Sequence, residues 1–241
     1  MIRCEGLAKR FGDKVVLDGF DLEVRRGETM ALLGRSGTGK SVLLKLLLRL
    51  LDPDRGRIWL DGVDVAGLAE AELPAVRRRM GMVFQGSALF DSLTVAENVA
   101  YGVVEHLRWP PDRVRARVAE CLALVDLAGT EDLLPGALSG GMKKRVAVAR
   151  AIAPGPEVLL YDEPTTGLDP ATAGHVNRLI RSLEERLGVT SLVVTHDMAS
   201  VLQVADRLAL LEGGRNVYTG PVALARAAPP PELRRFLGEA A

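Results

Sequence analysis

The stretch that decides the fold is a glycine-rich run, Gly34-Arg35-Ser36-Gly37-Thr38-Gly39-Lys40-Ser41. It follows an apolar strand predicted over residues 29–33 and precedes an apolar helix predicted over residues 42–51. In that context the glycines allow backbone N–H groups and the helix N-terminus to surround a phosphate chain. A plain glycine-rich turn is the alternative, but such a turn does not require the Lys-Ser pair directly before the helix. The run therefore predicts a nucleotide-binding loop.

The last two residues of this run predict the chemistry at the phosphates. Lys40 is placed to reach the β- and γ-phosphates, and the hydroxyl of Ser41 is a suitable ligand for Mg²⁺. We expect the following residues to surround the nucleotide: Gly34, Arg35, Ser36, Gly37, Thr38, Gly39, Lys40, Ser41 and Val42.

Length and composition predict one large α/β domain in the cytosol. The chain has 241 residues, and 48% of them are hydrophobic, which suffices for a sizeable core. Basic and acidic residues both number 31, so the net charge is zero and does not favour nucleic-acid binding. Cys4 and Cys121 lack metal-ligand spacing and predict buried thiols rather than a disulfide. The chain shows no signal-peptide pattern, and its longest apolar run, 42–51, is too short for a membrane span.

The character of the sequence changes twice along the chain. Runs with β-branched residues near the N-terminus predict strands at 14–17, 20–24 and 57–60. Between residues 85 and 138 the pattern is helical, and Thr94 with Glu97 predicts a capping box at a helix start. Strand and helix signals then alternate, with strands at 158–161 and 191–195 and helices at 142–153 and 171–187. Buried strands linked by helices indicate a parallel sheet between two helical layers.

These patterns predict an α/β fold: a three-layer core with a parallel sheet, an N-terminal antiparallel β subdomain and an inserted α-helical subdomain. We expect a single nucleotide-binding domain over residues 1–225, with the helical subdomain at about 86–153. A short C-terminal tail would follow at residues 226–241.

Two adjacent carboxylates follow the apolar strand predicted at 158–161. In a phosphate-loop enzyme an acid at this strand end lies near Mg²⁺, so Asp162 is our candidate for the metal. Glu163 is one position on and is our candidate for polarising the water that attacks the γ-phosphate. Alone, such a pair is usually a solvated strand end. The phosphate loop upstream favours the functional interpretation.

Two further polar residues follow predicted buried strands. His196 comes after residues 191–195 and could donate a hydrogen bond to a γ-phosphate oxygen, unless loop carbonyls satisfy it. Gln85 follows the apolar residues 82–84, where the core meets the helical region, and its amide could touch Mg²⁺ or the attacking water. The alternative for Gln85, a polar residue that merely closes a strand, has equal standing on these grounds.

A second anion-binding turn precedes the helix predicted at 142–153. Ser139 is a good N-cap, and Gly140 and Gly141 allow phosphate to approach the positive end of the helix. Because Lys40 already serves the γ-phosphate in its own loop, this second site is best used on the nucleotide of another copy. The sequence therefore predicts a head-to-tail homodimer that encloses two nucleotides.

Taken in order, these motifs resemble the nucleotide-binding subunit of ATP-binding cassette (ABC) transporters over nearly the whole chain. The ordered set is the phosphate loop, Gln85, Leu138-Ser139-Gly140-Gly141, Tyr161-Asp162-Glu163-Pro164, Gly167-Leu168-Asp169 and His196. The resemblance implies a P-loop NTPase that hydrolyses ATP with Mg²⁺, held by Ser41, Gln85 and Asp162. It also implies that Asp169 contacts the opposite subunit and that Phe11 stacks on adenine, although Phe11 could instead be a core residue of the first hairpin. Met142 and Gly167 depart from the commonest family pattern but leave Ser139 and its glycines intact.

A finer resemblance links the chain to the ATPases of Mla/MCE-type phospholipid transporters. It rests on three segments: residues 84–100, residues 138–147 and residues 161–170. It implies an integral-membrane permease that docks beside Gln85 and residues 87–94, an MCE-type lipid-binding protein and a small accessory subunit. The subunit would lie on the cytoplasmic face of the inner membrane. The end of the tail, residues 233–241, is shorter than the tail that clasps the opposing subunit in that family, so the sequence gives no prediction of a clasp.

Three alternatives to this interpretation remain, the first within the same class of protein and the other two from different classes. Another ABC importer, for amino acids or metals, would share every catalytic residue and differ around residues 87–95. A soluble ABC protein of DNA repair or translation usually has two cassettes or long insertions and basic surfaces, which this chain lacks. A purely regulatory nucleotide-binding module would be expected to lose Glu163 or His196, and both are present.

Overall fold

A computed structural model describes residues 1–238, which form ten strands and nine α-helices. The strands are β1 (Ile2–Phe11), β2 (Lys14–Val24), β3 (Thr29–Leu33), β4 (Arg55–Leu60), β5 (Val63–Asp64), β6 (Met80–Val83), β7 (Val158–Asp162), β8 (Thr190–Thr195), β9 (Arg207–Glu212) and β10 (Arg215–Pro221). The helices are α1 (Lys40–Leu47), α2 (Leu73–Arg77), α3 (Val95–Glu105), α4 (Pro111–Leu124), α5 (Gly140–Ile152), α6 (Pro170–Leu187), α7 (Met198–Val204), α8 (Val222–Ala227) and α9 (Pro231–Leu237).

The larger sheet has six strands in the order β10-β9-β3-β8-β7-β6. Five of them pair in parallel, and β10 joins β9 antiparallel at one edge. Alternate residues of β7 enter different hydrophobic clusters, Leu159 and Tyr161 on one face and Val158 and Leu160 on the other. Since side chains alternate across a strand, the sheet is covered on both faces. This confirms the predicted three-layer α/β core.

A second, smaller sheet is antiparallel and has the order β2-β1-β4-β5. The prediction of two separate strands at 14–17 and 20–24 is wrong, because β2 runs unbroken from Lys14 to Val24. Its pairing with β1 shifts register between the pairs Leu7–Phe20 and Lys9–Leu17, and Gly19 has a φ of 68°. The Asp18-Gly19 pair therefore forms an irregularity within one strand rather than a turn between two.

Helices α3, α4 and α5 pack together around a shared apolar core that contains Val99, Cys121 and Val146. The predicted capping box of α3 is confirmed, since Thr94 accepts from the Glu97 N–H at 3.2 Å and Glu97 accepts from the Thr94 N–H at 2.7 Å. The helix after the phosphate loop is shorter than predicted. It ends at Leu47 rather than at residue 51, because Arg49 has a φ of 51° and leaves the helical conformation.

The segment predicted as a tail begins within α8 and continues into α9. Leu233 of α9 is fully buried against a cluster that includes Leu210 and Val222, so α9 packs on the sheet domain. Residues 239–241 of the predicted tail lie outside the described residues. Across residues 1–238, none of the helices has the length and apolarity to cross a bilayer.

Gly81 marks a close approach between β6 and α5. A Cβ atom at this position would lie 2.6 Å from the Ala151 carbonyl oxygen, so the two backbones would have to separate. We expect Gly81→Ala to lower the free energy of unfolding by about 1–3 kcal/mol, measured by urea denaturation. Gly136→Ala is the control, because a Cβ there meets nothing within 4 Å. Equal losses in the two variants would contradict the close packing.

Candidate nucleotide site

The phosphate loop follows β3, at the side of the parallel sheet where the strands have their carboxyl ends. The Gly34 N–H donates to the Thr195 carbonyl at 3.2 Å, which ties the start of the loop to the end of β8. Gly39 precedes α1 with a φ of 109°, and a Cβ on it would lie 2.6 Å from Val16 Cγ1. Glycine is therefore required here both by the backbone conformation and by the close approach of β2.

Lys40 is buried beneath the loop and has three oxygen partners. Its Nζ donates to the carbonyls of Gly34 at 2.7 Å and Arg35 at 3.1 Å, and it lies 3.2 Å from Glu163 Oε1. Only 5% of the side chain is exposed. A buried ammonium group needs such compensation, since removal from water without partners is costly. The charge of Lys40 is thus held at the floor of the loop.

Ser41, the last residue of this loop, and Asp162 bring together two oxygen atoms that can coordinate a metal ion. The Ser41 hydroxyl donates to Asp162 Oδ1 at 2.9 Å. Burial raises the pKa of Asp162, and the bond from Ser41 opposes that rise. A divalent cation would favour the charged carboxylate, and hydroxyl and carboxylate oxygens are ligands that Mg²⁺ accepts. The pair therefore fits Mg²⁺. In the described residues no group of three or more His, Cys, Asp or Glu side chains is arranged to hold a metal ion, so such an ion would also need phosphate oxygens and water.

Glu163 is the most heavily bonded carboxylate of the site. Its Oε2 lies 2.9 Å from His196 Nδ1 and accepts from the hydroxyls of Thr166 at 3.1 Å and Thr195 at 3.3 Å. Burial alone would raise the pKa of Glu163, but the bond to His196 and the charge of Lys40 hold the pKa below its usual value. The backbone of Glu163 has a φ of 48°, a conformation that non-glycine residues rarely adopt. The strand end therefore holds an ionised carboxylate in a fixed position.

His196 contacts this carboxylate in addition to lying near the phosphate loop. The sequence indicates a hydrogen bond to phosphate, whereas in the structure Nδ1 faces Glu163 and 48% of the side chain is exposed. His196 can thus orient Glu163 while its exposed part faces the cleft. Sequence reasoning missed this contact, along with the hydroxyls of Thr166 and Thr195.

An open cavity of about 480 Å³ joins most of these residues. It is lined by Phe11, Val16, Gly37, Lys40, Glu163 and His196, among others. Phe11 is 46% exposed at one end of it, so the alternative of a core residue in the first hairpin is wrong. An exposed aromatic ring beside a phosphate loop offers a stacking surface for a base. The cavity therefore combines a stacking surface at Phe11 with the charged groups of Lys40 and Glu163.

Gln85 also lines this cavity and is exposed. The strand before it ends at Val83, so the expectation that Phe84 belongs to a buried strand is wrong, and Phe84 is 36% exposed. The backbone carbonyl of Gln85 accepts a hydrogen bond from Lys144 of α5. Nothing in the sequence singles out Lys144, because it is one of several cations on its helix.

The second anion-binding turn lies apart from the cavity. Ser139 is the N-cap of α5 and accepts from the Met142 N–H at 3.2 Å, as predicted, while Ser139 and Gly140 are exposed. Asp169 caps α6 by accepting from two backbone N–H groups, and bonds to Thr172 lower its pKa. Within residues 1–238 neither Ser139 nor Asp169 lines the phosphate cavity. The chain therefore carries two exposed helix N-termini that its own site does not use.

The fold and the phosphate cavity define a nucleotide-binding ATPase of the phosphate-loop class. Comparison with known families makes this specific: the family described as "ABC transporter" matches residues 17–166. The chain belongs to the ABC transporter family, as an ATP-binding subunit, which confirms the resemblance. It therefore binds ATP and acts as the ATP-hydrolysing motor of an ABC transporter.

Two kinds of curated relative match at similar identity. The methionine import ATP-binding protein MetN of Symbiobacterium thermophilum is 46% identical over 99% of this chain and 73% of its own length. The intermembrane phospholipid transport system ATP-binding protein MlaF of Haemophilus influenzae is 44% identical over 86% of this chain and 78% of its own length. The two sequence identities are too similar to decide between methionine and phospholipid as the transported substrate.

Solved structures of the same family superpose closely. A dimeric ATP-binding cassette in a post-hydrolysis state, bound to ADP and Pi, has a TM-score of 0.83 and is 32% identical. The match covers 92% of this chain and 99% of that one. A subunit of the cbiONQ ABC transporter complex of Clostridium perfringens has a TM-score of 0.87 at 32% identity, over 94% of this chain and 90% of that one. The predicted P-loop NTPase fold is confirmed.

Proposed function

We propose that this subunit works as a head-to-tail homodimer with two ATP sites and drives a phospholipid transporter of the Mla/MCE type. The observation that carries the dimer is the position of Ser139, an exposed helix N-cap that lies outside the chain's own phosphate cavity. A helix N-terminus attracts phosphate, so the partner's nucleotide is a fitting ligand for it. The dimeric ADP-bound relative supports this arrangement.

The contacts within the cavity support a division of roles. Residues 34–42 cradle the ATP phosphates, and Phe11 stacks on the base. Ser41 and Asp162, with Gln85, would hold Mg²⁺, and the ion would supply positive charge that neutralises the charge on the phosphates. Glu163 is kept ionised by His196 and Lys40, as a general base requires. Ser139, Gly140, Gly141 and Asp169 act on the partner's nucleotide.

The ion pair between Lys40 and Glu163 suggests how ATP readies the base. Lys40 donates to two carbonyls of its own loop and lies 3.2 Å from the Glu163 carboxylate. Incoming phosphates would compete for the ammonium group, because their charge exceeds that of one carboxylate. Glu163 would then lose one partner but keep His196, and its Oε1 would be released to accept a proton from water.

A second cavity, of about 830 Å³, supports a docking site for a membrane permease. It lies between β6 and α3, and its walls include Phe84, Ala88, Phe90, Tyr101 and Arg150. Phe90 and Tyr101 are 41% and 40% exposed, and their ring centroids are 4.6 Å apart. An exposed aromatic cluster in a groove is typical of a protein interface. Its position next to Gln85 would connect the permease to the nucleotide.

The choice of phospholipid over another substrate rests on local sequence. Residues 84–100, 138–147 and 161–170 resemble the Mla/MCE-type ATPases, and MlaF of Haemophilus influenzae is 44% identical to this chain. The partners would then be an integral-membrane permease, an MCE-type lipid-binding protein and a small accessory subunit. The ATPase would lie on the cytoplasmic face of the inner membrane. The second candidate, methionine import, is favoured by the 46% identity to MetN.

Phe90→Ala tests whether the second cavity is the docking groove for the permease. Aromatic anchors carry much of the energy of an interface, so we expect permease affinity to fall about tenfold or more, while ATP binding stays unchanged. Copurification from detergent-solubilised membranes of the source organism measures the affinity. Leu224→Ala is the control, since Leu224 is 63% exposed on α8, away from the groove.

Wild-type recovery of the permease with the Phe90 variant would exclude Phe90 as an anchor. The same purification identifies the substrate class. A methionine permease in place of one accompanied by an MCE-type protein would exclude the phospholipid assignment and leave the ATPase assignment intact.

A further inference from the structure

The turn over residues 85–88 is fastened to α5 by two cationic side chains. Lys144 donates from Nζ to the carbonyl of Gln85. Arg150 donates from Nη2 to the carbonyl of Ser87 at 2.8 Å and from Nη1 to that of Ala88 at 2.6 Å. Three of the four carbonyls in this turn thus accept hydrogen bonds from the same helix. The turn borders both cavities, since Gln85 lines the first and Ala88 lines the second.

Lys144 is an unusual choice for a purely structural position. It is only 6% exposed, and burial lowers its pKa despite the opposing charges of Asp162 and Glu163. In residues 1–238 no carboxylate lies within 4.0 Å of its ammonium group. A buried cation that binds a backbone carbonyl is costly to maintain, whereas an apolar side chain would fill the same space more cheaply.

The turn itself adopts a conformation that needs outside support. Ser87 and Ala88 have φ values of 64° and 48°, so two successive non-glycine residues are in the left-handed region. Such a conformation persists only where the surroundings hold it. The carbonyl contacts of Lys144 and Arg150 provide that hold.

On the other side, the turn is joined to the sheet more loosely. The parallel pairing of β6 with β7 ends at Val83, and Phe84 lies outside the strand and is exposed. The Ser87 N–H donates to the Phe84 carbonyl at 2.9 Å, within the same short segment. Phe84 is therefore the place where the turn can pivot against the sheet.

We propose that Lys144 and Arg150 are positioning residues that lock the 85–88 turn to α5, so that Gln85 moves with this helix and not with the sheet. Helix α5 then carries three functional points: Ser139 at its N-terminus, Lys144 behind Gln85, and Arg150 in the docking groove, 6.0 Å from the Phe90 ring centroid. These span roughly 16 Å of one rigid helix, from the usual rise per residue. Because the turn is held by its backbone, the Gln85 side chain stays free to act. This inference rests on the proposed role of Gln85 in hydrolysis.

Hydrogen exchange in the full-length chain tests the lock without nucleotide or permease. Lys144→Met should raise the amide exchange rates of residues 86–88 by about tenfold or more, because the turn loses a contact that restrains it. Lys144→Arg should restore most of the protection. Arg145→Met is the matched control: Arg145 is also an α5 cation that binds two backbone carbonyls, those of Val125 and Asp126. Unchanged exchange in Lys144→Met, or an equal rise in the Arg145 variant, would overturn the lock.

A double-mutant cycle on kcat tests whether the lock acts through Gln85. Lys144→Met should lower kcat for ATP about tenfold with KM within twofold, and should add less than twofold in a Gln85→Ala background. A merely structural role would give the same fold-loss in both backgrounds and would overturn the positioning role. If Gln85→Ala by itself keeps the wild-type kcat, the proposed role of Gln85 fails, and the exchange experiment still decides whether the turn is locked.

Discussion

Replacing Lys40 with alanine is expected to abolish ATP hydrolysis. The ammonium group is buried at the floor of the phosphate loop, and within residues 1–238 the only other Lys or Arg that lines the phosphate cavity is Lys14, on the N-terminal sheet. Loss of one preorganised charged donor typically costs about 10²–10³-fold in kcat, so the residual turnover should be near background. Lys45→Ala is the control, because Lys45 is exposed on the same helix.

A mixture of variants then tests whether each site is shared between two chains. Ser139→Ala should also lose activity, since Ser139 would serve the partner's nucleotide. In a dimer of one Lys40→Ala chain and one Ser139→Ala chain, one site carries both defects and the other carries neither. Partial recovery of ATPase activity on mixing is therefore expected. Normal hydrolysis by Ser139→Ala alone, within the assembled transporter, would contradict the shared site.

Glu163→Gln is expected to trap an ATP-bound dimer with little hydrolysis. The amide preserves the shape of the side chain and can still bond to His196, but it removes the negative charge that polarises water. The lowered pKa of Glu163 shows that the native group is ionised at neutral pH, so this charge is what the variant loses. A lost general base typically reduces the rate about 10²–10⁴-fold. Gel filtration with Mg-ATP and a phosphate-release assay measure the two effects.

A second substitution separates dimer formation from nucleotide binding. Adding Ser139→Ala to Glu163→Gln should prevent the ATP-dependent dimer, because the contact to the partner's nucleotide is lost while the chain's own phosphate loop is intact. A Glu163→Gln chain that stays monomeric at every ATP concentration would count against the closed dimer.

Most of the correct predictions rest on patterns of residues that are close together in the sequence. The capping box of Thr94 and Glu97 and the N-caps Ser139 and Asp169 depend on residues within four positions of each other, and the phosphate loop is one continuous run of eight residues. The errors arose where a local signal is ambiguous. Asp18-Gly19 has the composition of a turn, but pairing with β1 keeps it inside one strand. Residues 82–84 are all apolar, as in a buried strand, but the pairing of β6 with β7 ends at Val83, so Phe84 lies outside the strand.

The sequence by itself determined which residues carry charge, oxygen donors and glycine flexibility, and in what order, because each motif depends on residues close together in the chain. Only the tertiary structure decided how distant motifs meet. Glu163 contacts Lys40 and His196 across β3, β7 and β8 because parallel strands bring their ends to one edge. Lys144 reaches Gln85 only because α5 packs beside β6, where Gly81 permits the approach. Contacts of this kind depend on packing distances, which no local pattern of residues specifies.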